Sequence, residues 1–141
     1  MTKPQKLPIE AITRLGRKSF NLEVARTSEE IALGMMFRDN IPNNRGMLFL
    51  FQNAHYVSFW MHNVYFPLDM IFLRNGKIKS VLMNIPPCLT NPQYCPMYGP
   101  STLIDQVIEI KGGEAAKLRL KINSSVSIKY LKYPYYEDQE R

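Results

Sequence analysis

Five side chains set in apolar surroundings are the candidates for chemistry in this chain: Arg38, Trp60, Asn63, Asp69 and Glu109. Asp69 follows Pro67-Leu68 and precedes Met70-Ile71-Phe72-Leu73, and Glu109 interrupts Val107-Ile108-Glu109-Ile110. Two carboxylates within about 5–10 Å of each other can share acid–base work, one protonating a leaving group and the other activating water. A carboxylate in such a segment otherwise faces solvent or is buried with a partner. Alternation along the strand puts Glu109 on the face opposite Ile108 and Ile110, where solvent, a network with Arg38 and a pocket are all consistent with the pattern. Trp60 either stacks on a ligand ring or anchors the core with its indole N–H bonded.

The histidines complete no site. His55 and His62 do not form HExxH or another helical metal pair. Ser58, His62 and Asp69 contain the residue types of a nucleophilic triad, but spacing alone does not align them. The eight methionines could hold Cu(I) with a histidine, although thioethers more commonly fill irregular core gaps. The residue patterns therefore call for no metal and no cofactor. Cys88 and Cys95 are the only cysteines. Their spacing is not CxxC, and no Cys or His nearby completes a zinc site. A structural disulfide is expected, worth about 2.5 kcal/mol on chain-entropy grounds, and it points to an oxidising compartment.

The elements that position these residues read as mostly β. Ala11–Thr13 and Ser19–Ala25 flank Gly16, and Phe20, Leu22 and Val24 alternate with Asn21 and Glu23. Thr27-Ser28-Glu29-Glu30 is a capping box that starts a helix expected over Ser28–Phe37, with Ile31, Met35 and Met36 on its apolar face. Strands are expected at Met47–Phe51 and Val57–Val64, with Pro67 excluding a helix through the aromatic block. Asn75-Gly76 between Met70–Leu73 and Ile78–Ile85 predicts a hairpin whose two turn residues take positive φ. After a proline-rich loop over Pro86–Pro100 come a strand at Ile104–Ile110, a short helix at Glu114–Leu120 and a strand at Val126–Leu131. The expected fold is mainly β, α+β at the margin: one compact β-sandwich or barrel-like domain over 9–133 with two short helices, between tails at 1–8 and 134–141.

Composition agrees with one domain. The chain has 141 residues, 45% hydrophobic and 21% charged, enough to bury a core. The net charge of +6 is spread out, densest between Lys3 and Arg26, without basic runs interleaved with aromatics. No nucleic-acid partner is expected. No apolar run reaches the roughly 20 residues of a membrane helix, and Met1–Glu10 has no apolar h-region. The start at Met1-Thr2-Lys3-Pro4 fits a cytosolic terminus or a trimmed export signal equally well.

With these residues in view, the chain resembles the uncharacterised prokaryotic family named domain of unknown function 192, over roughly residues 18–131. The resemblance rests on Gly34-Met35-Met36-Phe37-Arg38, Ile41-Pro42, Gly46-Met47-Leu48-Phe49 and Phe51. It continues through Phe59-Trp60-Met61-His62-Asn63, Pro67-Leu68-Asp69 and Val107-Ile108-Glu109. It implies a compact, mainly β fold and, for many members, export; it carries no catalytic role. It marks Arg38, Trp60, Asn63, Asp69 and Glu109 as motif positions. The chain departs where the family usually has Thr after the Asn (here Val64) and Gly-Asp near the C-terminus (here Asn123-Ser124).

The leading expectation is an exported, extracytoplasmic domain that binds a small molecule or a protein partner without chemistry of its own, through Arg38, Trp60, Asn63, Asp69 and Glu109 around one concave site. The alternatives are a hydrolase using Asp69 or Glu109 as acid or base, and a structural or accessory domain.

Overall fold

The computed structural model describes residues 3–137. Seven strands and one helix follow in the order β1 (Ile9–Leu15), β2 (Lys18–Ala25), α1 (Ser28–Leu33), β3 (Arg45–His55), β4 (Leu68–Arg74), β5 (Lys77–Ile85), β6 (Ile104–Lys111) and β7 (Ile128–Tyr135). All seven strands form one sheet of order β5-β4-β6-β3-β2-β1-β7. Every neighbouring pair is antiparallel except β2 and β3. A parallel pair needs a crossover, and α1 with its following loop supplies it.

The mainly β, single-domain expectation is borne out, with the sheet left open between β5 and β7. The segment before β7 reaches back to the β4–β5 hairpin, where Ile78 N–H donates to Ser124 O (3.0 Å) and Val126 N–H to Gly76 O (2.7 Å). Apolar side chains cover both faces of the central strands. Met47, Phe49, Met70, Phe72 and Val107 face one cluster. Leu48, Ile71, Leu73, Ile108 and Ile110 face the other. This two-sided burial explains why β4 and β6 read as nearly continuous apolar runs.

The turn chemistry predicted from sequence is present. Asn75 and Gly76 have φ of 51° and 74°, the pair of left-handed residues that a two-residue hairpin requires. The capping box is formed, with Glu30 N–H donating to Thr27 Oγ1 (3.1 Å) and Thr27 N–H to Glu30 Oε1 (3.1 Å). The helix is shorter than expected. It stops at Leu33 because Gly34 turns the chain at φ 48°, and Phe37 at φ 69° turns it again. Those two turns bury Met35 and swing Arg38 inward.

The Val57–Val64 strand is corrected. Only isolated bridges occur there, Phe59 with Tyr98 and His62 with Cys88. The buried side chains are Val57, Met61, Val64 and Phe66. That spacing does not alternate, so the segment lies across the first cluster as an irregular strap. The helix expected at Glu114–Leu120 is a single 3-10 turn, Ala115–Lys117. The last strand begins at Ile128 and continues to Tyr135, into the segment expected to be a tail; residues 138–141 and 1–2 lie outside the described residues. The leading segment, also expected as a tail, is tied down, with Gln5 Nε2 donating to Glu30 O (2.9 Å) and Gly34 O (3.0 Å). Cys88 and Cys95 are disulfide-bonded.

Gly46 sets how closely β3 approaches β6. A Cβ there would stand 2.6 Å from Glu109 O and 3.0 Å from Ile110 Cγ2. Gly46→Ala should destabilise the domain by about 2–3 kcal/mol in guanidinium unfolding, as overpacking at a close backbone contact does. An unchanged midpoint would show that the strands part without cost.

Candidate functional site

The first face of the sheet carries an unusual row. Register pairs Glu23 with Met47, Met47 with Glu109, and Glu109 with Met70. Directly opposed residues share a face, so two carboxylates stand two strands apart, roughly 10 Å, in an otherwise apolar surface. Both are buried, Glu23 at 0% and Glu109 at 4% exposure.

Their surroundings differ. Glu23 accepts from Arg38 Nη1 (2.8 Å) and Nη2 (2.6 Å), Arg45 Nη2 (2.8 Å) and Leu7 N–H (3.0 Å). The turns after α1 bring Arg38 onto it, and the first residue of β3 brings Arg45. Glu109 receives only the field of Arg38, with no hydrogen bond. Burial therefore dominates and pushes its carboxyl up to about 8, while the Arg38 charge pulls it back only in part. At neutral pH this group is mostly a carboxylic acid, able to donate one hydrogen bond and accept others.

Glu109 lies in a cleft of about 250 Å³. One wall is Ile31, Met35 and Met36 from α1 and its turn. The other is Val57, Ser58, Phe59 and Trp60 from the strap, with Phe49, Phe51 and His55 of β3 between them. The aromatic rings pack edge to face, Phe49 with Phe59 at 5.0 Å and Phe51 with His55 at 4.8 Å. Trp60 is half-buried here and also lies 4.9 Å from the His62 ring.

Of the five predicted residues, Glu109 and Trp60 meet in this cleft. Arg38 reaches it only through its charge, because its guanidinium is engaged by Glu23 rather than by Asp69 or Glu109. Asn63 is elsewhere. It takes φ 62° in the turn of the strap, its carbonyl accepts from Phe37 N–H (2.8 Å), and it lines a separate shallow cleft with His62 and Cys88.

Asp69 is on the opposite face. Its register partner is Ile110, one residue from Glu109, and neighbours along a strand point opposite ways. There its carboxylate accepts from Asn84 N–H (2.6 Å), Gly113 N–H (3.2 Å) and Ala115 N–H (2.7 Å). Those bonds stitch β4 to the end of β5 and to the turn after β6. Asp69 and Glu109 thus do not form the paired carboxylates that the hydrolase alternative requires. Among the described residues no group of three or more His, Cys, Asp or Glu could hold a metal ion.

The sequence offered Ser58 only as a triad residue type with His62 and Asp69 and gave His55 no site, although both line the cleft. They lie at the end of β3 and on the strap, and only the packing of the strap against α1 gives them a shared surface. No local pattern could have marked them.

The profile of the family named domain of unknown function 192, described as Uncharacterized ACR, matches residues 11–128. Two crystal structures are similar. A protein of unknown function from Novosphingobium aromaticivorans DSM 12444 is 32% identical, with 85% of this chain and 84% of that one covered at a TM-score of 0.73. A protein from Sinorhizobium meliloti 1021, proposed to be a transcription regulator, is 23% identical, with coverage of 84% and 92% at a TM-score of 0.73. At that identity the second shares the fold alone. Among curated proteins none matches the chain.

The raised pKa of Glu109 fixes the sign of a pH effect. Below about 4.5 both folded and unfolded states hold the proton. Between there and about 8 the unfolded state loses it while the folded state keeps it, so stability falls with rising pH and levels off above 8. Glu109→Gln should remove that slope. It should match the wild type near pH 4 and exceed it by a few kcal/mol at pH 8 in urea unfolding. Parallel stability curves for the two proteins across this range would contradict the assignment.

Proposed function

The chain belongs to the family named domain of unknown function 192, and from that membership and the cleft we propose that it is a binding domain for a small, mostly apolar molecule with a hydrogen-bonding head. The observation that carries this reading is the unpaired Glu109 carboxyl, buried at the base of an aromatic cleft. A buried polar group without a partner costs stability, and nothing in the packing of the sheet requires a carboxyl there. Perturbed titratable groups in clefts mark functional sites. A ligand head that bonds to Glu109 offsets the cost, and its apolar body lies against Trp60, Phe59 and Phe51. The volume of about 250 Å³ is near the small end of ligand pockets. His55 and Ser58 line the same cleft, but neither hydrogen-bonds to Glu109 or to the other, which supports binding over hydrolysis.

The same reading places the domain outside the cytoplasm. Support comes from the Cys88–Cys95 disulfide, a bond that persists in oxidising compartments. No helix among the described residues is long and apolar enough to cross a membrane. Thiol titration of denatured, unreduced native protein should find no free thiol; two would remove this support.

Trp60 is the only tryptophan, so its fluorescence reports the cleft directly. Titration with short alkyl and aryl amides, alcohols and amines should produce a saturable change in emission for at least one head-group class. Glu109→Leu, which removes donor and acceptor alike, should weaken that binding about tenfold or more, the scale set by losing one hydrogen bond of roughly 1.5 kcal/mol to a buried partner. If no head group perturbs Trp60 saturably, or if the Leu variant binds as well, the ligand reading is wrong.

A further inference from the structure

A second cleft, of about 820 Å³, shares no lining residue with the first. The leading segment, the loop after α1 and the start of β3 form it, and Lys6, Arg38, Arg45 and Lys111 line it against Asp39 and Glu137. Its chemistry follows from a mismatch of buried charge. Arg38 and Arg45 keep only 10% and 3% of their side-chain surface exposed, and both bond to the single carboxylate of Glu23. Glu23 is saturated by four donors and accepts no more. Two buried guanidiniums with one carboxylate leave one positive charge over, and a buried charge demands a counter-charge.

Glu137, just beyond β7, supplies it in this structure. Its Oε1 stands 3.0 Å from Arg45 Nε. The contact is Coulombic only, because the N–H does not point along it and neither atom has a hydrogen-bond partner among the described residues. The Glu137 side chain is one-third exposed and lies two residues beyond the end of β7 at Tyr135 rather than on the sheet. Arg45, by contrast, is fixed as the first residue of β3 and by its bond to Glu23.

We propose that this cleft is a binding site for a small oxyanion, a carboxylate or phosphate group, whose anchor is Arg45, and that the Glu137 carboxylate occupies the anion position as a built-in competitor. Displacement of the Glu137 side chain frees the Arg45 Nε–H for a ligand in the cleft. An incoming oxyanion gains a charge-assisted bond that Glu137 does not make, since oxyanions fit the guanidinium edge in the plane of its N–H groups. Lys6 and Lys111 add positive charge at the site.

The test follows the arginine Nε–H resonances of the full chain by NMR during titration with inorganic phosphate and, separately, acetate. Glu137→Gln removes the competing charge and keeps the size of this one-third exposed side chain. This variant should bind at least one of the two anions about tenfold more tightly than the wild type. The Arg45 Nε–H signal should move saturably, and Lys111→Gln added to it should weaken the binding. Tighter phosphate identifies a phosphate site, and tighter acetate a carboxylate site. Equal affinities in wild type and Glu137→Gln overturn the competitor. A linear drift without saturation at Arg45 overturns the site itself. Neither result bears on the Glu109 cleft, which Trp60 reports independently.

Discussion

The Glu23 carboxylate organises this domain. It is wholly buried on a sheet face, in a medium where an ionised group survives only with partners. Four donors from three separate parts of the chain meet it: the leading segment through Leu7, the turn after α1 through Arg38, and β3 through Arg45. The parallel β2–β3 pair depends on a crossover that must return to the sheet, and this knot fastens both ends of it. The Gly34 and Phe37 turns exist in that context, since a helix continued to Phe37 would not deliver Arg38 to Glu23.

Because Glu23 claims Arg38, Glu109 has no partner. The two carboxylates lie on one face with Met47 between them, and Arg38 makes its bidentate bond to Glu23 and lends only its field to Glu109. On the reverse face Asp69 is satisfied by three backbone N–H groups, and it binds β4 to the end of β5 and to the turn after β6. Glu23 and Asp69 are therefore structural, and Glu109 opens onto an aromatic cleft. This division, rather than acidity in general, separates the candidate binding residue from its neighbours. The arginine pair bears the reverse imbalance, one charge too many, and Glu137 beyond β7 answers it.

Local features were legible from sequence because they involve residues close along the chain. The Asn75-Gly76 turn, the Thr27–Glu30 capping box and the Cys88–Cys95 pairing all obey short-range rules of φ, hydrogen bonding and spacing, whereas the alternation of β2 hid the burial of Glu23. The strap was misread as a strand for the same reason. Its apolar content resembles a strand, but its edge finds only isolated bridges, and its burial follows contacts with α1 and β3 instead of a period of two.

The sequence by itself determined the mainly β class, the hairpins, the disulfide and the membership of Trp60, Asp69 and Glu109 in one motif set. It could not determine which side of the sheet each side chain occupies relative to the others. Adjacent register positions on β4 and β6 send Asp69 and Glu109 to opposite faces, and a shift of one residue would have reversed either. Nor could it assign Arg38 to Glu23, fifteen positions away, over Asp69 or Glu109. Charge pairing in a buried layer is decided by which groups the strand order and crossover bring within hydrogen-bond reach, and that order, β2 beside β3 beside β6, exists only once the sheet has formed.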